Sequence, residues 1–164
     1  MRITYFTAAP RPALQFREEA DDNPDMFEWK DEYSVHIHSI DAQHQNLFRM
    51  AGELHSAMLA GQAKSVMGKV LDRLVQYTAM HFAHEERLMR QRNYPGFELH
   101  KVEHDVLTRK VLQFQADFRS GTTIITVQLL QFLRDWLENH IKGSDTKYVP
   151  FLTVEPVGQI RADK

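Results

Sequence analysis

The chain has 164 residues, enough for one domain with a substantial buried core. Its net charge of −2 gives no reason to expect nucleic acid or an anionic membrane as a partner, and the absence of cysteine excludes disulfides, thiolate metal sites, iron–sulfur clusters and cysteine nucleophiles. No apolar run reaches the roughly 18 residues of a transmembrane helix, and we identify no signal peptide, so we expect a cytoplasmic protein. The unusual feature is a set of nine histidines.

The two ends of the chain differ from its centre. Three prolines and a cluster of acidic residues in "TAAPRPALQFREEADDNPD" leave neither helical nor strand periodicity. We therefore predict a poorly ordered N-terminal extension over residues 1–26. Residues 150–164 are predicted to form a short C-terminal tail, which leaves 27–149 as the folded domain.

Between these ends, apolar residues recur at steps of three and four, the spacing that places them on one face of a helix. Gly61, the turn sequence "NYPG" and the Ser120–Gly121 pair separate the apolar runs. Because short connections favour antiparallel neighbours, we predict an all-α fold, an up-down-up-down antiparallel four-helix bundle. The four runs cover residues 44–58, 66–88, 97–118 and 125–140.

Every apolar run also carries at least one histidine. A lone histidine on an apolar face is usually a hydrogen-bonded core residue, but five of them on four helices are costly to bury without compensation. A bound cation would remove that cost. In chain order these histidines are His44, His81, His100, His104 and His140.

The spacing within the runs supports a metal site. His81 and Glu85 in "HFAHEERLM" lie four residues apart on one helical face, and His100 and His104 repeat that spacing. Facing helices that each supply such pairs are how bundles build metal sites in their cores.

Asp145 is a further candidate, although its spacing is irregular. It follows His140 by five residues in "HIKGSD", and five residues do not share one face of an α-helix. We therefore expect the helix to loosen or end near Gly143, so that Asp145 can turn back toward the same centre.

The candidates comprise five imidazoles and two carboxylates. One tetrahedral zinc ion needs only four ligands, so seven ligands suggest two adjacent metals bridged by carboxylates. Imidazole suits iron, copper, nickel and zinc, and the oxygen ligands favour iron or manganese over copper(I). The residues alone thus predict a dinuclear site and leave the metal open, with iron favoured.

From Phe27 to Tyr148 the sequence resembles the bacterial hemerythrins. The motifs that carry the resemblance are, in order, "EWKDEYSV", "IDAQHQNLF", "LHSAMLAG", "HFAHEERLM", "YPGFELHKVEH" and "WLENHIKGSDTKY". A single HxxxE motif would be weak evidence of family membership, but the ordered combination of these motifs is highly specific. The family carries a non-haem di-iron centre that binds dioxygen reversibly.

The resemblance implies a role for each candidate residue. One iron would be held by His100, His104 and His140. The other would be held by His44 and His81, which leaves it an open position for dioxygen. Glu85 and Asp145 would bridge the two irons together with a solvent-derived oxo or hydroxo group. An apolar oxygen pocket would be formed by Phe82, Trp136, Leu137 and Ile141.

Other residues near these motifs have less certain roles. We expect His36 and His38 to lie on the surface, with a lid or an access-route proton donor as the alternative. His84 is expected to face solvent, and His55 to pack or hydrogen bond rather than bind metal. Tyr148 is expected either to support the site or to close the end of the bundle.

Three functions are compatible with this reading. The first is a non-enzymatic dioxygen binder for storage, delivery or sensing. The second is a di-iron enzyme on the same scaffold, with peroxidase, nitric-oxide or iron-supply chemistry. The third is a signalling module, which would need an unidentified protein partner.

Overall fold

A computed structural model describes residues 25–62 and 64–153. This part of the chain consists of helices and connecting segments, with no strand. The long helices are α1 (His38–Leu59), α2 (Lys64–Gln91), α3 (Phe97–Ser120) and α4 (Val127–His140). α1 packs against α2 and α4, and α2 packs against α3, so the predicted four-helix bundle is confirmed.

The chain does not leave the helical path where α4 ends. A π-helical turn spans Ile141–Asp145 and leads directly into a short helix, α5 (Thr146–Leu152). The predicted loosening near Gly143 is therefore confirmed, and it takes the form of a wider turn with i→i+5 hydrogen bonds rather than a break. The expected tail begins later than position 150, because α5 continues to Leu152; residues 154–164 lie outside the described part.

Two glycines end helices as the sequence indicates. Gly61 follows α1 with φ of 60°, and Gly121 follows α3 with φ of 84°. This left-handed conformation suits glycine because it has no Cβ. At the start of α4, the side chain of Thr126 accepts a hydrogen bond of 3.2 Å from the backbone nitrogen of Leu129, so this helix has a regular N-terminal cap.

The segment before α1 is part of the packed domain. Met26 and Phe27 are 4% and 6% exposed, so packing begins within the stretch that the sequence reading assigned to the extension. Tyr33 stacks on Phe48 with ring centroids 5.0 Å apart, and its hydroxyl donates a 2.8 Å hydrogen bond to Glu138. These contacts tie the segment to α1 and α4; residues 1–24 of the expected extension lie outside the described part.

None of the helices in the described ranges combines the length and the apolar character needed to cross a membrane. The apolar side chains instead fill the space between the helices. The buried polar side chains include a group of histidines and acids near the end of α4. The bundle therefore supplies four facing helices around one polar centre.

Replacing Gly121 by alanine is predicted to destabilise the protein by about 1 kcal/mol. The backbone at this position is left-handed, and the Cβ of alanine makes that conformation unfavourable. Gly68→Ala is the matched control. Gly68 lies inside α2, where the new Cβ would make an ordinary 3.5 Å contact with Phe118. Alanine there should stabilise the helix by about 0.5–1 kcal/mol. Thermal unfolding of both variants measures the difference, and equal effects would contradict the assigned cap.

Candidate metal centre

The seven predicted ligand residues converge at one place in the bundle. Each of them is at most 5% exposed. Two groups of their ligand atoms lie close enough together to hold an ion, and Glu85 belongs to both groups. The first group adds His100, His104 and His140 to Glu85, and the second adds His44 and His81.

The three-histidine half has its Nε2 atoms turned toward one point. The Nε2 of His104 lies 3.0 Å from that of His100 and 3.1 Å from that of His140. Adjacent ligands of an octahedral ion with bonds of about 2.1 Å are about 3.0 Å apart, whereas tetrahedral ligands are farther apart. These two distances therefore suit neighbouring ligands of one octahedral ion.

Asp145 lies between the two halves. Its Oδ1 is 3.2 Å from the Nε2 of His140 and 3.4 Å from that of His100, whereas its Oδ2 is 3.3 Å from the Nε2 of His44. The π-helical turn explains this position, because its larger number of residues per turn brings a residue five positions after His140 to the same face. Asp145 therefore presents one oxygen to each half.

Glu85 also contacts both halves. Its Oε2 lies 3.2 Å from the Nε2 of His104 and 3.6 Å from that of His81, and its Oε1 lies 3.6 Å from that of His44. Tyr148 donates a 2.5 Å hydrogen bond to the same Oε1. Of the two alternatives for Tyr148, this hydrogen bond favours support of the site, since the buried hydroxyl fixes one oxygen of Glu85.

The side chains of the centre fit a bound cation. Several buried atoms that face it have no hydrogen-bond partner, namely the Nε2 of His44, the Oε2 of Glu85 and both oxygens of Asp145. Buried polar atoms are nearly always paired, so these atoms call for a ligand. Imidazole nitrogens and carboxylate oxygens are a donor set for a transition-metal cation, iron among them, and such a cation would satisfy these atoms.

The electrostatics of the metal-free centre follow from burial and from the two acids. Burial lowers the pKa of His44, but the nearby carboxylates of Asp145 and Glu85, 3.3 and 3.6 Å away, outweigh it and raise the pKa to about 9. Burial lowers the pKa of His81 and of His100 to about 4 in each case. Burial would raise the pKa of both carboxyls, but the surrounding imidazoles hold it below the ordinary value. The centre thus keeps both acids ionised.

Three polar side chains outside the cluster orient its histidines, and the sequence reading missed all three. Gln43 on α1 contacts the Nδ1 of His81 at 3.0 Å, Glu86 on α2 contacts that of His104 at 3.3 Å, and Glu103 on α3 contacts that of His140 at 2.9 Å. Each of them is adjacent in sequence to a predicted ligand on its own helix and reaches a ligand on the next helix. That adjacency is the signal that could have identified them.

Two aromatic rings support the same histidines from the side. Phe82 stacks on His104 with centroids 3.8 Å apart and planes 5° apart. Trp136 stacks on His140 with centroids 4.3 Å apart and planes 15° apart. Because each imidazole is held both by a hydrogen bond to Nδ1 and by a flat neighbour, its Nε2 has little freedom to turn away.

An apolar cavity of about 50 Å³ adjoins the centre. His44, His81, His140 and Asp145 line its end at the centre, and aliphatic and aromatic side chains form most of the rest. Thr78 also lines the cavity, and its hydroxyl donates a 2.9 Å hydrogen bond to the backbone oxygen of Leu74. The four residues predicted for an oxygen pocket, Phe82, Trp136, Leu137 and Ile141, all lie in the cavity wall.

The remaining histidines lie away from the centre. His36 and His38 are exposed as expected, and His36 has a positive φ of 57°. His55 is buried beside Phe27, with ring centroids 6.3 Å apart. His84 differs from expectation, because it is half-buried and its Nδ1 lies 2.9 Å from a guanidinium nitrogen of Arg87.

The chain has clear relatives among known proteins. Bacteriohemerythrin from Stenotrophomonas maltophilia is 38% identical over 120 residues, which cover 73% of this chain and 77% of the relative. Bacteriohemerythrin from Methylococcus capsulatus is 37% identical over 122 residues, 74% of this chain and 92% of the relative. Myohemerythrin from Riftia pachyptila is 31% identical over 125 residues, which cover 76% of this chain and 92% of the relative.

Solved structures and the family pattern agree with these relatives. A crystal structure of wild-type hemerythrin matches with a TM-score of 0.74 and 36% identity, covering 77% of this chain and 97% of that one. The model of the hemerythrin HHE cation binding domain matches residues 35–152. That range contains all seven residues of the centre, so the resemblance read from the motifs is confirmed and the chain belongs to the hemerythrin family.

Proposed function

We propose that this protein binds dioxygen reversibly at two iron ions held in the buried centre. The observation that carries the proposal is the set of unpartnered buried nitrogen and oxygen atoms that face one another across the two halves. One iron belongs to the three-histidine half and the other to the half with His44 and His81. Glu85 and Asp145, which contact histidines of both halves, would supply carboxylate oxygens to both ions, together with an oxo or hydroxo group from solvent.

The unequal number of histidines determines where dioxygen binds. The half with His44 and His81 has one imidazole fewer, so an iron held there would have a position left for dioxygen. The apolar cavity reaches the centre beside these two histidines and also touches His140. A small apolar molecule therefore meets the open position from a space lined by hydrocarbon.

When bound, the iron pair supplies one electron from each metal to dioxygen. The protein side chains do the rest. The cavity wall, including Phe82 and Leu137, excludes water from the open position, which protects a reversible complex from hydrolysis and oxidation. Tyr148 holds Glu85 so that both carboxylate oxygens stay in place between the halves.

The enzyme alternative requires room and water for a second substrate or for loss of a product. The cavity is small and its lining is almost entirely apolar, which favours a binder over an enzyme. A cytoplasmic location and a protein partner remain predictions from the sequence.

Removal of one ligand is predicted to abolish stoichiometric iron binding. His100→Ala leaves the three-histidine half with two imidazoles, and Glu85→Ala removes a carboxylate shared by both halves. His55→Ala is the matched control, because His55 is equally buried but lies outside the centre. Iron per chain and the visible spectrum are measured after anaerobic reduction and after admission of air.

The control and the unaltered protein should hold two irons per chain and show a visible band that forms in air and disappears when oxygen is removed. Full iron occupancy in both ligand variants would overturn the ligand assignment. Two irons with immediate conversion to the fully oxidised form would overturn reversible binding and support the enzyme alternative.

Iron uptake is predicted to release at least one proton per chain at pH 7. His44 of the metal-free protein is protonated at that pH because its pKa is about 9, and it must lose the proton to bind a metal through Nε2. Apparent affinity should therefore rise with pH up to about 9 and then level off. Anaerobic calorimetry with ferrous iron, in two buffers of different ionisation enthalpy, counts the protons.

The exposed His38→Ala variant should release the same number of protons as the unaltered protein. A heat of binding that is identical in the two buffers would contradict the protonation of His44.

A further inference from the structure

The side chains that orient the histidines differ in charge between the two halves of the centre. In the three-histidine half, carboxylates face the Nδ1 atoms of two rings, with Glu103 2.9 Å from His140 and Glu86 3.3 Å from His104. In the two-histidine half, the amide oxygen of Gln43 faces His81 at 3.0 Å. The Nδ1 of His44 has no hydrogen-bond partner.

Both carboxylates are placed so that their charge acts on the ring they face. The side chain of Glu86 is 18% exposed. The side chain of Glu103 is 45% exposed, so solvent screens it more, but its contact is shorter. Ser144 also donates a 2.6 Å hydrogen bond to the same oxygen of Glu103, which keeps it directed at His140.

A carboxylate that accepts the Nδ1 hydrogen makes an imidazole a stronger electron donor at Nε2 than an amide does. A stronger donor stabilises the higher charge of a ferric ion more than the lower charge of a ferrous ion. The two halves therefore differ in their preference for the oxidised metal, in addition to the difference in histidine number.

We propose that Glu86 and Glu103 direct the first oxidation of the iron pair to the three-histidine half. One electron passes from that iron to a one-electron oxidant, no bond forms or breaks, and the ferric charge stays next to the two carboxylates. The iron with the open position keeps its electron until the second oxidation. This inference rests on the proposed di-iron function and deepens it, because it assigns an order to the two metals.

Azide tests the order, because this anion binds at the open position and prefers a ferric ion. The iron-loaded protein is fully reduced without oxygen and then given one equivalent of ferricyanide per chain. Azide is titrated into this half-oxidised form and into the fully oxidised form, and the two apparent Kd values are compared through the azide absorption band.

In the unaltered protein, the half-oxidised form should bind azide at least tenfold more weakly than the fully oxidised form. Azide can bind only the fraction of molecules in which the ferric ion occupies the two-histidine half, and the apparent Kd rises as that fraction falls. Equal Kd values in the two forms would overturn the proposal.

Two variants with opposite changes of net charge distinguish a change in which iron is ferric from a general effect of protein charge on azide binding. The double variant Glu86→Gln/Glu103→Gln removes the carboxylates from the three-histidine half. Gln43→Glu adds one to the other half. Both variants should lower the ratio of the half-oxidised to the fully oxidised azide Kd at least threefold. Simple electrostatic repulsion of azide would instead strengthen binding to the double variant and weaken binding to Gln43→Glu. Exposed Glu98 on α3 provides the control, and Glu98→Gln should leave the ratio unchanged.

Failure of the proposed function would be visible before this comparison, as fewer than two irons per chain or no azide band in the fully oxidised protein. With two irons and the band present, a ratio that neither variant changes overturns this inference alone. If the double variant does not load iron, Gln43→Glu decides the outcome by itself.

Discussion

The structure depends on one constraint, the complete burial of two ionised carboxylates in the middle of an apolar bundle. Removing such a group from water costs several kcal/mol, and only close opposite charges or a metal offset that cost. Five imidazoles surround Glu85 and Asp145, and all of them come from helices that point their apolar stripes at the same centre. Without a cation, protonation of His44 partly neutralises the acids. With a cation, the same atoms become ligands, so one arrangement serves both states.

The orienting contacts run around the bundle in one direction. The side chain next to a ligand on α1 holds the ligand on α2, the one on α2 holds a ligand on α3, and the one on α3 holds the ligand on α4. Three of the four helices thereby fix a ligand on the next one, and the aromatic rings of Phe82 and Trp136 restrict His104 and His140 from the side. The centre is therefore largely shaped before any metal arrives, which limits the reorganisation that binding requires.

Helical periodicity made most of this centre predictable, because a spacing of four assigns two residues such as His81 and Glu85 to one face whatever the neighbours are. For Asp145, the sequence predicted only that the helix must depart from regular α-geometry near Gly143. It did not predict a π-turn, since that turn depends on the packing of α4 and α5 as well as on local sequence. Gln43, Glu86 and Glu103 were missed because their partners lie on other helices, and the crossing geometry that brings them together leaves no periodic pattern. Burial of Met26 was missed for a related reason, since its segment packs without regular structure.

The cavity beside the centre also affects how the protein responds to compression. A cavity of about 50 Å³ per molecule corresponds to ~30 mL/mol, which lies within the range of volume decreases seen when proteins unfold. Hydrostatic pressure therefore acts against the folded state through the same space that admits a small ligand. A gas molecule that occupies this space would replace part of the void with matter, so ligand binding and resistance to pressure are coupled through volume rather than through charge.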